Sequence, residues 1–181
     1  METWEWIVLA LGIAAGVLVL IAVASRMVHR RRRTHLKERF GPEYDRAVTT
    51  NGKRDAERRL ADVEVKHDDL EIRPLPEPAR ERYLEEWRQT ESRFVSDPPD
   101  AVRGAERIVL RVLQDRGYPT DGDPDERIAY VAADYPDVVQ RYRHAHEMVA
   151  AAEQSTENLR RAMVDLRMVL DELLVRERTT V

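Results

Sequence analysis

Residues 141–147, RYRHAHE, form the densest grouping of chemistry-bearing side chains in the sequence, with two imidazoles and a carboxylate within four positions. Two ligands on one helix must lie three or four apart to share a face and converge on a metal ion. His144 and His146 are two apart, about 200° around a helix, so they cannot meet on one ion unless the helix breaks. Tyr142 falls on the apolar stripe of this segment, His146 sits beside it and His144 points to water. His146 therefore reads first as a core-edge histidine with a hydrogen-bond partner. Tyr142, Arg143 and His146 remain the candidate binding residues if the domain takes a ligand or metal.

Other chemistry fails on spacing. The acids of TDGDPDE at 120–126 lack the twelve-residue frame and terminal bidentate glutamate of a calcium loop, and helix capping explains them. The sequence contains no HExxH, no glycine-rich phosphate loop, no paired Glu-x-x-His of a di-iron bundle and no GxSxG elbow. Tyr83 and Trp87 could line a pocket, but aromatics at helical spacing belong to a core. With no cysteine there is no thiolate ligand, thiol nucleophile or disulfide framework. The expectation is a non-enzyme with no cofactor and no metal.

What must position any of these residues begins with a different kind of segment. Residues 7–24 carry no charge and no hydrogen-bonding side chain, and as a helix they span about 27 Å at about 1.5 Å per residue. That approaches the roughly 30 Å of a bilayer's hydrocarbon core, and Trp4 and Trp6 suit the adjoining interface. A secretion signal puts its positive charge before the apolar run. Here Glu2 and Glu5 precede it, and Arg26, Arg30, Arg31, Arg32 and Arg33 follow, although AVAS at 22–25 imitates a cleavage site. The order predicts a single transmembrane helix in the plasma membrane, N-terminus outside and C-terminal domain cytoplasmic. Gly12 and Gly16, four apart within it, offer a face for homodimerisation.

Charge divides accordingly. Of a net −4, residues 26–40 carry +6 and residues 41–181 carry −8. The basic collar is expected to attract anionic headgroups, at about 1 kcal/mol per residue near the surface. The acidic remainder should hang below the membrane. Since the basic patch does not continue along the sequence into the domain, nucleic acid is not an expected partner.

Beyond the collar the pattern is helical, and strand alternation is missing. The first helix should run to Gly41-Pro42, followed by a short helix to Asn51-Gly52. A charged helix over about 53–70 has few apolar positions and reads as bridging or loosely docked. Residues 34–72 thus read as charged juxtamembrane helices and 73–79 as a proline-rich linker. Residues 80–176 read as a helical bundle and 177–181 as a disordered tail. Within the bundle, Tyr83, Trp87, Thr90 and Phe94 draw one seam. Asp97 caps a helix whose stripe is Val102, Ala105, Val109, Val112 and Leu113, ending at Gly117. Asp123, Pro124 and Glu126 form a capping-box variant. Pro136 opens a helix with a Val138, Tyr142, Ala145, Val149, Ala152 stripe. Ser155 or Thr156 caps the most amphipathic segment, with Leu159, Ala162, Met163, Leu166, Leu170, Leu173 and Leu174 on one side.

The strings HLKERFGPEYDRAV, FVSDPPDAV, RGYP, YPDVVQRYRHAH and TENLRRAM together resemble an uncharacterised family of small bacterial, largely actinobacterial, single-pass membrane proteins. The resemblance runs from about His35 to Leu174 and implies a membrane-tethered helical domain with no active site to transfer. The fold expected is all-α, one N-terminal transmembrane helix followed by a small cytoplasmic bundle. Its expected role is as an interaction or scaffold module for a protein partner at the membrane.

Overall fold

A computed structural model of the chain describes residues 3–151 and 155–175. Within the first helix, side chains are described at Trp4, at 16, 18–20, 23, 24, 26 and 27, and from Arg30 onward. Among the described residues the fold is all-α, with eight helices. Helix α1 (Thr3–Phe40) is unbroken, and its last turns bury Leu36 and Phe40 completely. It stops where Gly41 adopts φ 51° and Pro42 starts α2 (Pro42–Asn51). Gly52, at φ 77°, then turns the chain into α3 (Lys53–Asp68). Contacts along α1 and α3 keep the same order: Arg39 bonds Glu64 at 3.0 Å and Asp68 at 2.6 Å, while Arg30 and Arg33 face Lys53 and Arg54. The two helices therefore run parallel, and the N-terminal end of α3 sits at the level of the α1 arginines.

Helix α3 is not loosely docked. Its apolar positions are few but small or well placed, and Ala56, Leu60, Ala61 and Val63 are all buried.

Nor is 73–79 a spacer between two units. Ile72 and Leu75 are buried, and the Arg73 amide donates to the Arg116 carbonyl at 2.9 Å. Gly117 makes this crossing possible. It closes α5 in the left-handed region at φ 100°, and a Cβ there would lie 2.6 Å from the Glu71 carbonyl oxygen. One core consequently joins Leu36, Phe40 and Tyr44 to Trp87, Val112 and Leu166. Gly117→Ala combines a left-handed residue with a backbone clash, and is expected to lower stability by about 2 kcal/mol or more. Urea denaturation of the purified chain checks this.

The remaining helices are α4 (Glu77–Arg93), α5 (Pro98–Arg116), α6 (Pro124–Asp134), α7 (Val139–Ala150) and α8 (Thr156–Val175). Periodicity places most of their buried faces correctly: the α5 and α8 stripes are buried at every predicted position, and α8 adds Val169. Asp97 and Asp123 accept the predicted capping bonds, and Ser155 rather than Thr156 caps α8, accepting from the Asn158 amide at 3.1 Å. Glu126 does not reach back to complete a capping box; its carboxylate receives Lys66 Nζ at 3.2 Å. Helix α7 starts three residues later than Pro136, because the Val138 and Val139 amides are taken by the Tyr135 carbonyl in a turn. Val139 is thus the buried residue and Val138 only half-buried. Ala152 and the tail 177–181 lie outside the described residues.

Candidate functional site

The α7 cluster does not assemble into one site. Tyr142 is wholly buried, its hydroxyl has no hydrogen-bond partner among the described residues, and burial pushes its phenol up to about 12. The two imidazoles diverge as their spacing requires. His146 Nδ1 lies 2.5 Å from Glu106 of α5, and His144 Nδ1 lies 2.7 Å from Asp165 of α8. His146 is therefore a core-edge residue with a carboxylate partner.

Arg143 is the residue of this cluster that the fold uses most. Although its helix periodicity gives no reason to expect it, it is buried, and its Nη2 donates to Glu43 Oε1 at 2.8 Å. Its Nη1 donates to Asp125. One guanidinium thereby ties α2, α6 and α7, and its two carboxylates offset the loss of hydration that burial imposes. The bond from Arg143 holds the Asp125 carboxyl below its ordinary value, against the opposing effect of burial.

Sequence reasoning missed a second buried polar centre. His67 is fully buried between Arg39 and Asp134. A guanidinium can only donate, so the Arg39 contact at 3.2 Å makes His67 Nδ1 the acceptor. Nε2 then carries the proton and donates to Asp134 Oδ2 at 2.9 Å. The same oxygen accepts from the Tyr118 hydroxyl, whose phenol is pushed up by burial and by that carboxylate. An imidazole between an arginine and an aspartate is an arrangement that acid–base catalysts use. Here the ring is sealed from solvent, so its effect is to lock α1, α3 and α6 together. Arg116, also buried, donates to the Leu173 carbonyl of α8 and so ties α5 to α8. Among the described residues no group of three His, Asp or Glu side chains could hold a metal ion.

The accessible chemistry lies at the other end of the bundle. Arg26, Arg30, Arg32 and Arg33 form one wall of an open cleft of about 730 Å³ between α1 and α3. Lys53, Arg54 and Arg58 form the facing wall, where Glu57 is the sole carboxylate among the lining residues. Linear sequence ended the basic patch at the collar. The return through α2 extends it onto the domain.

Above this cleft α1 leaves the bundle. Leu18, Val19, Leu20, Val23 and Met27 are 48–70% exposed, and a Cβ built on Gly16 meets nothing within 4 Å. Among the described residues no helix is long and apolar enough to cross a membrane. The side chains of Trp6, Gly12 and most positions of 7–24 lie outside those residues. The chain matches no protein-family model, no curated protein and no solved structure.

Proposed function

We propose that α1 anchors the chain in a membrane and that the bundle is a cytoplasmic interaction module held at its surface. The observation that carries this reading is the division of α1. Its C-terminal turns are locked in the core by Leu36 and Phe40, while Leu18, Val19, Leu20 and Val23 on the same continuous helix face outward. A contiguous apolar surface of this kind is unfavourable in water and favourable in hydrocarbon. The charges agree, since Arg26 and then Arg30, Arg31, Arg32 and Arg33 follow the apolar run and oppose translocation.

Because α1 passes from the apolar run into the core without a break, the bundle is joined rigidly to its anchor. Function follows from confinement: a domain restricted to the membrane plane meets a membrane-bound partner at raised effective concentration. A Gly12 and Gly16 face toward a second copy would add homodimerisation. The test is fractionation of the full chain. Wild type should stay in the membrane pellet after alkaline carbonate and leave it in detergent. Leu18→Arg with Val19→Arg should move it to the supernatant, each arginine costing about 2.5–3.5 kcal/mol near the bilayer centre. Release of wild type by carbonate would refute anchoring.

A further inference from the structure

We propose that the cleft between α1 and α3 is a headgroup site for an anionic lipid that carries two phosphates. This rests on the anchoring reading and adds to it a ligand and a second wall. Because α1 and α3 run parallel, Lys53 and Arg54 stand at the same level as Arg30 and Arg33, a short distance below the apolar run. At about 1.5 Å per residue, the step from Ala24 to Arg30 is about 9 Å, which places this level at the headgroup layer.

The balance of charge selects the ligand. Seven cations line the cleft against one carboxylate. That carboxylate is already engaged, accepting from the buried Tyr44 hydroxyl at 2.9 Å and lying 4.0 Å from Lys53 Nζ. Among the described residues Arg26, Arg30, Arg32 and Arg54 have no carboxylate within ion-pair distance, and all are exposed. Arg58 lies 3.8 Å from Asp55, and the mutual repulsion of the four unpaired arginines favours an outside anion. The N-terminus of α3, which has no side-chain cap, adds partial positive charge at the same end.

A lipid with a single phosphate answers one wall and leaves the other uncompensated. Two phosphates on one headgroup answer both, and the second contact forms within a complex already made. The cleft volume of about 730 Å³ falls in the range of small-molecule sites.

The test places the full chain in phosphatidylcholine vesicles containing either cardiolipin or phosphatidylglycerol at equal phosphate charge. Lipid retained by the extracted protein is then measured by native mass spectrometry. Wild type should retain cardiolipin at least about tenfold over phosphatidylglycerol. The combined variant Lys53→Gln, Arg54→Gln, Arg58→Gln removes the α3 wall, is confined to exposed side chains and leaves the collar intact. It should lose that preference, by about tenfold or more if each charge contributes as expected near a membrane surface, while keeping its helix content and carbonate-resistant integration. Equal retention of both lipids by wild type, or an unchanged preference in the variant, would overturn the cleft site alone. A chain that fails to enter vesicles would overturn the anchor and the cleft together. Displacement of cardiolipin by inorganic pyrophosphate at matched concentration would show a phosphate site indifferent to lipid, and would also overturn the proposal.

Discussion

Replacing Arg143 by methionine is expected to destabilise the bundle by about 3–5 kcal/mol, the range for removing one partner of a buried ion pair. The variant leaves Glu43, whose side chain is 2% exposed, with no countercharge. Asp125 suffers less, because it is half-exposed and keeps Arg46 at 3.4 Å. The loss thus comes from stranding Glu43, and not from the favourable energy of the pair itself. The double variant Glu43→Met with Arg143→Met tests that distinction. It removes both charges from the interior and should recover most of the stability, since apolar replacements of buried pairs are often neutral or better. Urea midpoints of the single and double variants in detergent give the comparison. A double variant no more stable than Arg143→Met would mean that the three-helix tie itself holds α2, α6 and α7 together.

Trp87→Ala should cost a similar amount, about 3–5 kcal/mol, for an apolar reason. The indole is fully buried in the seam where α4 meets α5, and the Arg167 guanidinium lies 5.6 Å from its ring centroid. Truncation would leave a cavity in the single core on which all the helices depend. The indole N–H has no partner among the described residues, so its removal costs no hydrogen bond. Trp87→Phe should accordingly lose well under half as much as Trp87→Ala, as read by the same denaturation. Equal losses would place the importance of this residue in its nitrogen and contradict the packing account.

These two sites mark where sequence was readable and where it was not. Trp87 was legible because Tyr83, Trp87, Thr90 and Phe94 recur at helical intervals, and the α8 leucines were legible for the same reason. Asp97, Asp123 and Gly117 announced helix ends by chemistry local to a few residues. The burial of Arg143, Glu43 and His67 was not legible, although Arg143 stood among the candidate binding residues. A charged residue reads as solvent-facing unless its partner is known, and Glu43 lies 100 positions from Arg143. The basic cleft hid for a related reason: Lys53 and Arg54 join the collar only once α2 folds the chain back. In 73–79 the prolines spoke for a linker, while the flanking Ile72 and the internal Leu75, too short a pattern to carry periodicity, held the crossing in the core.

The central claim is a topology, and the absence of native cysteine allows a direct measurement of it. Glu2→Cys and Val95→Cys each introduce a single thiol, the latter on a side of the bundle where Val95 is 92% exposed. Intact cells expressing each variant would be treated with a membrane-impermeant maleimide before and after lysis. The account predicts that position 2 is labelled in intact cells and position 95 only after lysis. Labelling of position 95 in intact cells would contradict it.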